Sequence, residues 1–120
     1  MGMRHSTFRS FSYAFGGLKT ALTREPNLRV HFILAALALF LGLFLGLTTW
    51  EWLLLTFTIF YVITLELLNT VIESVVNLVS PDIRPHAKIA KDVSAACVLM
   101  GAIMSIIVGL LLFLPKLLAL

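Results

Sequence analysis

Residues 63 to 79 read ITLELLNTVIESVVNLV, an apolar run that carries Glu66, Asn69, Glu73 and Asn77. Starting from Glu66, offsets of 3, 7 and 11 residues at about 100° per residue place the other three at about 300°, 340° and 20° around a helix. All four project from one face. Two carboxylates and two amides on one stripe suit three kinds of chemistry: an interhelical polar seam, a relay for protons or ions, and a site for a hard cation with phosphate. A seam gains only about 0.6 kcal/mol per interhelical hydrogen bond, a weak reason to bury two acids. A relay would need the stripe to continue, but the other half of the segment offers only Thr56, Thr58, Tyr61 and Thr64. Mg²⁺ is held by one or two carboxylates plus substrate phosphates, and that inventory matches the stripe.

The surroundings of the stripe are apolar throughout. The 120 residues are 60% hydrophobic and 12% charged, with a mean hydropathy of +1.03, against about 45–50% and about 25% in ordinary soluble domains. This composition excludes an ordinary soluble domain and predicts an all-α membrane protein built as one domain over residues 1–120. Three segments are long and apolar enough to span a bilayer: 30–47, 52–79 and 93–114. The second overruns the requirement, so its polar half is expected near one membrane surface. A carboxylate facing hydrocarbon costs at least about 2.5–3.5 kcal/mol, so Glu66 and Glu73 must face protein, water or a cation.

Orientation follows from the distribution of Lys and Arg. Arg4, Arg9, Lys19, Arg24 and Arg29 precede the first span, and Arg84, Lys88 and Lys91 lie between the second and third. The link between the first two spans has none, and Lys116 alone follows the third. The N-terminus and the 80–92 loop are therefore expected in the cytoplasm, with the C-terminus outside. The first 29 residues lack the apolar core and cleavage site of a secretory signal and are expected to stay in the working protein.

Residues 7–24, TFRSFSYAFGGLKTALTR, place Phe8, Phe11, Phe15, Leu18 and Leu22 on one stripe among basic residues. That pattern predicts an amphipathic helix lying at the lipid interface, with a bend, a break or a close approach to a ligand at Gly16-Gly17. Its adjacency to the first span favours lipid headgroups or a phosphate ligand as partners, and no nucleic acid is expected. Cys97, the single cysteine, is expected as a buried small apolar residue. His5, His31 and His86 lack metal-ligand spacing and are expected at surface or interfacial positions.

Phosphate chemistry requires cations, and SPDIRPHAKIAKDVSAACV supplies Lys91 and Asp92 just before the third span. Lys91 offers a point charge to a phosphate. The same pair also fits an ordinary helix start and topology signal, and Glu25, beside Pro26, fits a solvated charge at a helix break. No GxxxxGK[ST] loop, protein-kinase signature or Ser-His-Asp set is present, so a nucleotide would bind by another arrangement.

Glu66-Leu-Leu-Asn-Thr-Val-Ile-Glu73, with Ala90-Lys91-Asp92-Val-Ser-Ala-Ala96 downstream and Glu25 in REPNLRVH, resembles the bacterial diacylglycerol kinase and undecaprenol kinase family of small membrane enzymes. The resemblance covers nearly the whole chain. It implies a homotrimer in the bacterial cell membrane that moves the γ-phosphoryl of Mg-ATP to the hydroxyl of a lipid alcohol, at sites between neighbouring subunits. By that comparison Glu66 is the general base, and Glu25 and Glu73 are the Mg²⁺ carboxylates that also meet the nucleotide. Asn69 lines the site, and Tyr13, Asp82, Ile83, Arg84, Lys91 and Asp92 contact ATP. The family commonly has Asp where this chain has Asn77, and often His where it has Arg84. REPNLRVH and SPDIRPHAKIAKD look more like the undecaprenol kinase branch than the diacylglycerol kinase branch.

Overall fold

The computed structural model describes residues 6–82 and 84–120; the expected nucleotide contact Ile83, together with Arg4 and His5, lies outside the described residues. Four helices follow one another: α1 (Thr7–Arg24), α2 (Pro26–Leu45), α3 (Thr49–Val79) and α4 (Pro85–Leu118). The protein is all-α, and α2, α3 and α4 are each long and apolar enough to cross a membrane.

Local chemistry sets the helix ends. Ser6 caps α1 by accepting from the Arg9 amide at 3.2 Å. Pro26 occupies the first turn of α2, where its missing N–H costs no helical bond. Gly46 closes α2 with a φ of 72°, a left-handed conformation that glycine adopts without a Cβ penalty. Thr48 and Glu51 then form a reciprocal capping box, with the Thr48 amide donating to Glu51 Oε1 at 3.0 Å and the Glu51 amide to Thr48 Oγ1 at 3.3 Å. The TTWE stretch, expected only as a link, thus starts a helix, and its Thr-x-x-Glu pattern carries the signal.

Helix α1 passes through Gly16-Gly17 without interruption, and Thr20 Oγ1 donates to the Gly16 carbonyl at 3.0 Å. Its Phe8, Phe11 and Phe15 face outward and are exposed, while Ala21 is buried. This is the arrangement expected of a helix whose aromatic face meets lipid rather than its own chain.

Helices α3 and α4 pack chiefly on each other, α2 lies against both, and α1 packs on α2. At 1.5 Å per residue, the 31 residues of α3 and 34 of α4 reach about 46 and 51 Å, well beyond a hydrocarbon core of about 30 Å. The polar loop expected over 80–92 is accordingly much shorter, because α4 starts at Pro85. Lys88, Lys91 and Asp92 are helical residues.

The apolar core gathers Leu47, Leu55, Leu112 and Phe113, with Ala38, Leu41, Leu45, Trp52 and Ile59 packed around it. It occupies the end of the bundle where α2 finishes and α3 begins. Farther along the α3–α4 seam, a Cβ on Gly101 would lie 2.7 Å from Leu65 Cδ1, so a side chain at this position requires Leu65 to move. Large outward side chains such as Phe40, Phe44, Phe60 and Leu111 are exposed. Cys97 is exposed as well, contrary to the expectation of a buried position.

Candidate active site

The polar stripe of α3 faces α4 and α2. Asn69 Nδ2 donates to Glu73 Oε1 at 3.2 Å, and Ser94 Oγ of α4 donates to Asn69 Oδ1 at 2.7 Å. One turn beyond Glu73, Asn77 Oδ1 accepts from Lys91 Nζ at 2.6 Å. These bonds form a ladder along one seam, in which α4 orients both amides of α3 and one amide in turn holds a carboxylate. Ser94 is 4% exposed. It sits three residues after Lys91, one helical turn along the same face, a spacing that could have pointed to it.

Glu66 is the deepest member, at 3% exposure. Its Oε1 lies 3.4 Å from His31 Nε2 on α2. His31 had been expected at a surface or interfacial position, but the pairing with Glu66 draws it inward to 18% side-chain exposure. Spacing within one segment carries no sign of this contact, because the two residues belong to different helices. Thr70 Oγ1 donates to the Glu66 carbonyl at 3.2 Å, and Thr58, also buried, donates to the Leu54 carbonyl at 2.8 Å. Both hydroxyls are thus bonded within α3 itself.

The depth of each acid can be measured from the other end of the bundle. There Lys116 of α4 pairs with Glu51 of α3 at 3.1 Å. Along α3, Glu66 lies about 22 Å and Glu73 about 33 Å from Glu51 at 1.5 Å per residue. A hydrocarbon core of about 30 Å counted from Glu51 would therefore end between the two acids.

Between the helices is an apolar cavity of about 240 Å³, walled by Leu34, Ala35 and Ala38 of α2, Leu55, Ile59 and Val62 of α3, and Ile106 and Phe113 of α4; Glu66 does not line it and reaches it through His31. His31 also lines it, at the end where α2 begins. A second cavity of about 540 Å³ lies at the α3–α4 turn, between Val75, Val79, Arg84, His86 and Ala90.

The seam therefore gathers Glu66, Asn69, Glu73 and Lys91. The remaining candidates occupy other places. Asp92 is exposed and pairs with Lys88 on the outer surface of α4. Asp82 and Arg84 are exposed in the turn between α3 and α4, where Ser80 Oγ donates to the Asp82 carbonyl at 2.9 Å. Tyr13 is on α1, at about 140° from Phe8 and so away from the aromatic stripe. Glu25 is half-buried in the extended link between α1 and α2, with φ −111° and ψ 102°. It stands at the N-cap of α2 yet makes no side-chain capping bond.

Among the described residues, no group of three or more His, Cys, Asp or Glu side chains forms a metal cluster. The donors nevertheless fit Mg²⁺ bound together with phosphate. Glu73 has one oxygen engaged by Asn69, Glu25 leaves its helix uncapped, and hard carboxylate oxygens are the donors this ion prefers.

The family model for prokaryotic diacylglycerol kinase matches residues 12–113. Undecaprenol kinase of Bacillus subtilis is 40% identical over 110 residues, which cover 92% of this chain and 89% of that protein. Diacylglycerol kinase of Synechocystis sp. is 41% identical over 112 residues, covering 92% of this chain and 64% of its own length. Diacylglycerol kinase of Haemophilus influenzae is 34% identical over 113 residues, covering 93% and 95%.

Proposed function

The chain belongs to the prokaryotic diacylglycerol kinase family and is an integral-membrane lipid kinase; from that premise we propose that it phosphorylates the hydroxyl of undecaprenol with ATP. The observation that carries this reading is the buried carboxylate of Glu66, midway along an apolar helix and paired with His31, which lines an apolar cavity. A lipid alcohol brings its hydroxyl to that depth, and its tail favours apolar walls. A soluble acceptor would have no reason to meet a base there.

In this reading the Glu66 carboxylate takes the proton of the lipid hydroxyl as that oxygen attacks the γ-phosphorus. The new O–P bond forms while the bond to the ADP oxygen breaks. Phosphoryl transfer depends mostly on positioning and charge stabilisation, so a few placed side chains suffice. Glu73 and Glu25 would hold Mg²⁺, which neutralises phosphate charge when bound. Asn69 orients Glu73, and Lys91 presents a cation to the phosphates. Tyr13, Asp82, Arg84 and Asp92 complete the nucleotide site, with Arg84 beside the larger cavity. The aqueous end of the seam faces the cytoplasm, where ATP is found, and the Lys and Arg distribution supports that orientation. Assembly as a homotrimer would bring α1 and the α1–α2 link of neighbouring subunits near each seam.

Undecaprenol is favoured over diacylglycerol by the REPNLRVH and SPDIRPHAKIAKD stretches and by the Bacillus relative, which combines 40% identity with coverage of 89% of its own length. Diacylglycerol is the second reading, supported by the relative from Synechocystis. Incubating the purified protein with Mg-ATP labelled in the γ-phosphoryl and each alcohol separately tests both. Label is expected in undecaprenyl phosphate at a rate above that in phosphatidic acid. The reverse order would replace the substrate, and no labelled lipid from either would overturn the reading.

A further inference from the structure

The groups around Glu66 divide unevenly. Asn69, the next amide on the stripe, donates to Glu73 and is itself oriented by Ser94. Thr70 uses its hydroxyl on the Glu66 backbone carbonyl. Among the described residues, His31 meets the Glu66 carboxylate across the α2–α3 contact at 3.4 Å, with the two side chains 18% and 4% exposed. A buried carboxylate without a polar partner is costly. A flexible Glu side chain also reaches its target in only a fraction of its rotamers.

We propose that His31 is a positioning residue for the reaction: its imidazole fixes the Glu66 carboxylate at the polar end of the apolar cavity, where the lipid hydroxyl arrives. His31 lines that cavity, so one ring both closes its head and aims the base. This inference rests on the reading of Glu66 as the general base. It assigns a role to a residue on α2 that the α3–α4 seam leaves unexplained. Small displacements of a reacting group are expensive: about 1 Å can cost about a hundredfold in rate.

The test is steady-state kinetics of the full-length protein in mixed micelles with Mg-ATP and undecaprenol, for wild type, His31→Leu, His31→Gln and Glu66→Gln. Each preparation is normalised to folded protein by gel filtration. His31→Leu is expected to lower kcat by about tenfold to a hundredfold, with the KM for ATP within about twofold of wild type. His31→Gln, whose amide nitrogen reaches about the place of Nε2, is expected to recover most of that kcat. A merely structural contact would reduce the folded yield and leave kcat per folded molecule unchanged.

If His31→Leu turns over like wild type while Glu66→Gln is inactive, the positioning role is overturned and the base stands. If Glu66→Gln also turns over like wild type, both readings fall. Should His31→Leu fail to fold, His31→Gln and His31→Asn decide the matter. The longer amide should be several-fold faster, and equal rates would overturn the proposal.

Discussion

At the scale of single residues, the amide at position 77 acquires a physical role. Lys91 Nζ donates to Asn77 Oδ1, so the ammonium is held in place by a neutral group, which suits the proposed role toward phosphate. Asn77→Asp would pair it with a full negative charge, worth about 0.2–1 kcal/mol at a partly exposed site. The expected result is a KM for ATP raised by at most about fivefold, measured by initial rates, and a lowered KM would contradict the role given to Lys91. Glu73→Gln should shift the Mg²⁺ dependence of turnover to higher concentration, because it removes a hard anionic ligand; an unchanged Mg²⁺ titration would exclude Glu73 from the metal site. The pattern of acids and amides was legible in the sequence because all four share one helix and one period. His31 and Ser94 were not, since their roles come from contacts between helices, and an isolated His or Ser at an apolar position has no distinguishing spacing.

At the scale of elements, helix length does most of the positioning. Because α3 and α4 are both longer than a hydrocarbon core is thick, the proposed site has Glu73, Asn77 and Lys91 on overhanging turns and Glu66 within the apolar layer. The spans themselves were legible from hydropathy. The start of α4 at Pro85 was not, since Arg84-Pro85-His86 reads as loop by composition, while Pro at the first helical position is in fact a start signal. Gly101 is packed against Leu65 on the same α3–α4 seam that joins Ser94 to Asn69 and Lys91 to Asn77. Gly101→Leu should therefore overpack the seam by about 1–3 kcal/mol, lowering the thermal midpoint in detergent. Gly109, where an added Cβ would meet nothing within 4 Å, serves as the control: Gly109→Ala should leave the midpoint unchanged or slightly higher. Equal losses at the two glycines would show that Gly101 is not a packing point.

At the scale of the whole molecule, a small apolar core at one end leaves the other end of the bundle free for a polar seam. Most outward surface is apolar, suited to lipid or to neighbouring copies of the chain. The proposed trimer predicts crosslinked species up to three chains and no larger in native membranes, and a ladder ending at two would contradict it. The protein's membrane class was legible from composition alone, whereas its chemistry required the joint reading of the Glu66–Glu73 and Lys91–Asp92 segments. The central claim is that Glu66 is the base of lipid phosphorylation. The most direct test compares Glu66→Gln with wild type, measuring undecaprenol turnover and ATP binding on the same preparation. Turnover is expected to fall by about a hundredfold or more with ATP affinity nearly unchanged; a folded Glu66→Gln protein that phosphorylates undecaprenol at the wild-type rate would contradict the account.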